Sequence, residues 1–290
     1  MDVYIHGGLR SPIGVVHGQY KTLRPEVLGA RLINELLIRN TITLVDGIFC
    51  GNAVGTGGNL GRLMGLMTNL PESVPAVTVD MQCASALMSI EMAYTHIKAG
   101  VMCSAIAGGV ESSSLQPQRT YADGDDRKGS YMVAQFSPHD QSSWTMLEGA
   151  ERTIAKYNIA KEALYPFIIE SHQKADAARS NQILSQYIMP LEINGKICRD
   201  ECIRPTMNKN LLGRMKPLLG PDSITNAGNS CLTHDGGAFV YLSNRKGPFR
   251  IHSMLPWAGN PQYSPEGALE STKAILERTG LSMDDIDAVE

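Results

Sequence analysis

The sequence contains no long apolar run. Nothing in its 290 residues approaches the ~20 consecutive apolar residues needed to cross a bilayer. Its start, MDVYIHGG, lacks a charged stretch followed by an apolar one, so no secretory signal is expected. There is no basic run at either end. The 26 basic and 29 acidic residues leave a formal net charge of -3, too balanced for a nucleic-acid binder. Six cysteines, at 50, 83, 103, 198, 202 and 231, follow no framework spacing and form no CxxC motif. That argues against a disulfide scaffold and against a simple thiol-redox protein. Cys198 and Cys202 invite a metal reading, but no second Cys/His pair follows to complete four ligands. What is left is the profile of a cytoplasmic globular protein with 43% hydrophobic and 19% charged residues. Its length suits one large or two ordinary domains.

Periodicity predicts strands at 3–6, 45–50, 74–79 and 102–107. Between them lie a helix opening at Pro25 with Leu28, Leu32 and Leu36 on one face, a second helix around 63–67, and a third carrying Leu87, Ile90, Tyr94 and Ile97, closed by Gly100. This alternation implies a parallel α/β sheet. The stretch from about 112 to 226 is polar and proline-broken, with two helices around Leu147 and Leu164, and reads as an insertion. Strands are then expected at 237–242 and 249–255, followed by a helix from Pro265-Glu266 to Gly280 and a strand from Ile286 to Val289. The Pro-Glu helix followed by a strand thus occurs twice, at 25 and at 265. Two copies of one βαβ-type unit would explain it, the second ending within its second strand.

Cys83 stands between a buried strand and the first turn of a helix. Unpaired backbone N–H groups there carry partial positive charge, which favours the nucleophilic thiolate. Ala84, Ser85 and Ala86 are small and leave room for a ligand. Position alone favours a buried structural cysteine, a common fate of the free thiol. A nucleophilic cysteine also needs a base. Histidines at 6, 17, 96, 139, 172, 234 and 252 are available, and spacing selects none of them.

A set of motifs settles the comparison. RSPIG (10–14), LPESVPAVTVDMQCASAL (70–87), IKAG (97–100), AGGVES (107–112), MLEGAE (146–151), DECIRP (200–205), MKP (215–217) and TNAGNSCLTHDGGA (225–238) occur in order. Together they resemble the thiolase family, over almost the whole chain. The resemblance implies an α/β, layered αβαβα thiolase fold with an inserted loop domain. Residues 1–112 and 227–247 would form the N-terminal domain, 113–226 the coenzyme-A-binding insertion, and 248–290 the start of a second, incomplete repeat.

It also implies a reaction: Claisen condensation of two acyl-CoA molecules, or thiolysis of a 3-ketoacyl-CoA, through an acyl thioester on Cys83. Coenzyme A would be a substrate, not a tightly bound cofactor. Arg204 would lie near its adenine nucleotide, Met146, Leu211 and Leu219 would line the site, and Ala227 and Cys231 would follow the pantetheine arm. Acyl-CoA substrates and assembly into a dimer or tetramer are the implied partners. Cys231 replaces the usual Ser, Ala86 the usual Gly and Asp80 the usual Asn, and Thr145 stands where some members have His. The family's Asn-Glu-Ala-Phe, Gly-His-Pro and second-cysteine motifs do not occur in these 290 residues, so impaired turnover is expected. A non-catalytic CoA-binding module and a ketoacyl-synthase-like condensing enzyme are the alternatives. The motifs at 200–238 argue against the latter.

Overall fold

The computed structural model describes residues 1–138 and 142–290, so His139 lies outside the described residues. In chain order the elements are β1 (Tyr4–Arg10), β2 (Gly14–Val15), α1 (Pro25–Arg39), β3 (Ile48–Gly51), α2 (Leu60–Gly65), β4 (Ala76–Val79), α3 (Ser85–Lys98) and β5 (Ser104–Ser112). There follow β6 (Arg119–Thr120), β7 (Ser130–Tyr131), α4 (Thr145–Lys156), α5 (Lys161–Ser180), β8 (Glu192–Ile193), β9 (Lys196–Ile197) and α6 (Lys209–Arg214). The last are β10 (His234–Ser243), β11 (Phe249–Arg250) and α7 (Glu266–Thr279). The chain divides into two compact units. The first comprises 1–119, 177–203 and 232–252, and the second 120–176, 204–231 and 253–290.

The first unit holds one sheet in the order β11-β1-β10-β5-β3-β4, with β2 beside β10. β3 runs parallel to β4 and β5, but β10 is antiparallel to β1, β2 and β5. The sheet is therefore mixed, not all-parallel as the alternation suggested. That pattern holds where α1, α2 and α3 supply crossovers, since β1, like β5, is antiparallel to β10 and so runs with β3, β4 and β5. β10 arrives from a long intervening segment and needs no crossover helix to pair antiparallel. The strand expected at 249–255 is only Phe249–Arg250, which pairs with Tyr4 and Ile5. One further bond follows, from Ile251 N–H to the Val3 carbonyl at 2.9 Å, and the pairing then stops near the start of β1. Ile286–Val289 joins no ladder among the described residues. Apolar residues make a strand only where a neighbouring backbone can pair with them.

Helix α1 follows the residues that favour it. Pro25 opens it, Glu26 sits at its positive end and Arg39 at its negative end. Asn40 Nδ2 closes it by donating to the Leu36 carbonyl at 2.9 Å. Leu28, Leu32, Ile33, Leu36 and Leu37 are buried in the main core with Ile48, Cys50, Leu60, Met64, Ile106 and Val110. The pleat of β3 separates the two faces of the sheet. Ile48 and Cys50 point to the α1–α2 side, where a Cβ on Gly65 would meet Ile48 and one on Gly61 would meet Cys50. Phe49 and Gly51 point to α3, with the Phe49 ring 5.3 Å from that of His96.

Ser89 pins α3 to the sheet. It is fully buried (0% exposed). Its hydroxyl lies 2.7 Å from the carbonyl oxygens of Gly108 and Ala86 and accepts from Gly108 N–H at 2.9 Å. Ser89→Ala leaves that N–H unpaired in the core. The expected loss is about 1–3 kcal/mol, read as a lower melting temperature by circular dichroism. A variant melting with the wild type would refute the pinning.

Candidate active site

Cys83 is solvent-exposed and lies between β4 and α3. The turn carrying it is sharp. Gln82 adopts φ 52, a left-handed conformation uncommon for a residue with a side chain. Hydrogen bonds hold it there. Asp80 Oδ1 accepts from Gln82 N–H at 2.9 Å, and Ser85 Oγ accepts from Met81 N–H at 2.8 Å while donating to the Gln82 carbonyl at 2.6 Å. Asp80, noted as a departure, is thus part of the turn.

Beneath this turn the helix touches bare backbone. A Cβ on Gly51 would meet Ala86 N and Ser85 C at 2.5 Å, and one on Gly109 would meet Ala86 Cβ at 3.0 Å. Ala86 therefore does not crowd the turn, because the strands below it present glycine. Along the same rim Glu111 accepts from Asn52 Nδ2, Ala53 N–H and Val54 N–H at 2.7, 2.8 and 3.0 Å. Arg119 donates to the Val54 and Gly55 carbonyls. These contacts fasten the loop that follows β3.

The remaining candidates fall in the second unit. Exposed Met146 lies in the first turn of α4. Five residues on, Glu151 accepts from Ser223 Oγ–H and Thr225 N–H, both at 2.6 Å. Burial pushes its carboxyl up, but these donors outweigh it and hold the group below the usual glutamate range. Leu218 N–H donates to the Thr225 carbonyl, which sets Leu219 beside this segment. Arg204 is exposed, and its N–H donates to His172 Nδ1 at 3.2 Å. Leu211 packs on Tyr165, Met207 and Leu212. A Cβ on Gly228 would meet Leu212 and Met215 at 2.6 Å, so the loop holding Ala227 runs against α6. Ala227 and Cys231 are both exposed. Of the sequence-named residues of this unit, Leu219 and Ala227 are tied to the segment that Glu151 and α6 hold, whereas Arg204 bonds His172 instead. An open cleft of about 650 Å³, lined by Tyr121, Asp125, Arg127, Tyr131 and Phe136 among others, contains none of them. No sequence pattern pointed to it.

The family profile described as "Thiolase, N-terminal domain" matches residues 3–246. The chain belongs to the thiolase family. Among curated relatives, a Staphylococcus epidermidis protein named for acetyl-CoA C-acetyltransferase activity, VraB, is 32% identical over 97% of this chain and 77% of its own length. Its Staphylococcus aureus counterpart is 30% identical, over 97% and 78%. The crystal structure of the Bacillus anthracis acetyl-CoA acetyltransferase superposes with a TM-score of 0.90 at 24% identity, covering 99% of this chain and 78% of that one. The fold is that of a thiolase.

No described histidine contact in this thiolase leads to Cys83. His6 meets Ser243 Oγ, His17 N–H donates to Ser114 Oγ, and His96 Nδ1 lies on the Met92 carbonyl. His172 accepts from Arg204, and His234 faces Cys202. Among the described residues there is no group of three or more His, Cys, Asp or Glu that could hold a metal ion.

Gly51→Ala should force the first turn of α3 off the sheet, destabilising by roughly 1–3 kcal/mol and changing the alkylation rate of Cys83 by iodoacetamide. Unchanged melting and labelling would count against this contact. Glu151 supplies a pH-dependent clamp. Its folded pKa is depressed, so its stabilisation is complete above the unfolded value and is lost as pH falls through the folded one. The melting-temperature gap between wild type and Glu151→Gln should be widest near neutrality and close below about pH 4. A gap constant with pH would refute it.

Proposed function

We propose that this thiolase-family chain is an acyl-CoA acyltransferase that works through an acyl thioester on Cys83. The observation carrying the proposal is an exposed thiol on a strained, hydrogen-bonded turn at the start of α3. The Cys83 sulfur attacks the thioester carbonyl of an acyl-CoA. A new C–S bond forms, the bond to coenzyme A breaks, and the departing thiolate takes up a proton. The acyl group then passes to the α-carbon of acetyl-CoA in Claisen condensation, or arrives from a 3-ketoacyl-CoA in thiolysis. The names of the VraB relatives support acetyl-CoA as a substrate.

Residues 113–226 are proposed as the coenzyme-A-holding insertion, with Met146, Arg204, Leu211, Leu219, Ala227 and Cys231 as contacts. Residues 1–112 with 227–247 are then the N-terminal thiolase domain, and 248–290 the start of an incomplete second repeat. Copies of the chain are proposed to associate as a dimer or tetramer. Turnover by these 290 residues is proposed to be low, because the second acid–base set implied by the resemblance is not among them. Each missing proton carrier lowers the rate by roughly 10²–10⁴-fold.

Incubation with acetyl-CoA should add one acetyl group to the peptide containing Cys83, and Cys83→Ala should abolish it. Thiolysis of acetoacetyl-CoA by the same preparation should be negligible. Calorimetric CoA binding without acetylation would favour the CoA-binding module instead. Robust thiolysis that survives Cys83→Ala would sink the whole reading.

A further inference from the structure

Two segments far apart in sequence are fastened to residues 10–19 in the first unit. From one side, Asp200 takes a two-point ion pair from Arg10 at 2.8 and 2.9 Å and accepts from Ile13 N–H at 2.7 Å. Glu201 N–H donates to the Ile13 carbonyl, and its carboxylate accepts from Val15 N–H. Gln19 and Arg199 bond in both directions. From the other side, β10 pairs with β2, His234 opposite Val15 and Asp235 opposite Gly14. Asp235 is itself buried and takes both the N–H and the hydroxyl of Ser114.

This double fastening brings Cys202 Sγ and His234 Nε2 to 2.9 Å. A thiol is a weak hydrogen-bond donor, so the surrounding framework, not the S–H···N contact, sets the distance. Cys202 is half-buried and open to small reagents. The start of β10 lies at the same rim of the sheet as Cys83, three strands away. Strand spacing puts that separation at roughly 14 Å. The pair therefore belongs to a different strand from the proposed acyl site.

We propose that Cys202 and His234 form a second reactive thiol–imidazole pair, at which small hydroperoxides oxidise Cys202. The thiol proton passes to Nε2 of His234. The sulfur attacks the terminal peroxide oxygen, so an S–O bond forms as the O–O bond breaks. The departing hydroxide or alkoxide takes the proton from the imidazolium and leaves as water or alcohol. Sulfur is oxidised by two electrons to the sulfenic acid, and the hydroperoxide is reduced. The other thiols supply internal standards. Cys103 is exposed, whereas Cys50 is sealed in the core, where burial pushes its pKa up to about 12.

The test is hydrogen peroxide treatment of the purified chain with dimedone present, read peptide by peptide by mass spectrometry. Cys202 should be trapped about tenfold faster than Cys103, as expected for an imidazole-activated thiol. His234→Asn and His234→Gln should each remove that advantage while leaving Cys103 unchanged. Labelling of Cys50 reports any variant that has unfolded, and the wild-type comparison then decides alone. Trapping of Cys202 no faster than Cys103, or unaffected in a folded His234 variant, overturns the proposal.

Discussion

Helix α3 rests on backbone. At Gly51 and Gly109 the strands offer no side chain, so Ser85 and Ala86 descend to contact distance. The Ser89 hydroxyl then bonds β5 directly. With its first turn fixed this closely, the helix fixes the turn before it, and that turn holds the Cys83 thiol at the rim. Interiors packed at crystal density transmit small displacements. A methyl group at position 51 is therefore felt at the sulfur, several bonds away.

Elements governed by local pattern were legible in the sequence. The leucine spacing of α1, the strand leading into Cys83 and the helix after it stand close to where periodicity placed them. The Gly280 cap of α7 also stands, at φ 71. Features depending on a distant partner were not legible. The direction of β10 depends on which strands it joins, not on its own residues. The stretches at 249–255 and 286–289 carry strand-forming side chains, yet pairing, not propensity, decided their conformation. At the candidate site the place of Cys83 between a strand and a helix and the motifs could be read. The grip of Glu151 on Ser223 and Thr225, the bond between Asp200 and Arg10 and the turning of His234 toward Cys202 span tens to hundreds of residues and left no local signal.

Within the second unit one carboxylate organises what the motifs spread along the chain. Glu151 ends the MLEGAE motif and holds the segment that begins TNAGNS. Asn226 and Asn229 then shape the loop, with Asn226 Oδ1 accepting from Gly228 N–H and Asn229 Oδ1 from Asn226 N–H. Two motifs separated by more than seventy residues thus act as one piece of structure. The Glu151 carboxylate is thus the group through which α4 holds this loop.

The first strand of the sheet has neighbours that are made much later. Ser11 exchanges hydrogen bonds with Gly237, 226 positions along the chain, and the ladders of β1 are with β10 and β11, with one further bridge from Arg10 to Ile188. During synthesis its backbone must wait until residues 238–243 are made before that ladder can form. Ladders of such wide sequence separation close slowly, and an unpaired strand in the interval is prone to the wrong partner. β1 is thus exposed to mispairing until β10 has been made, and synthesis itself is a vulnerable period for this strand.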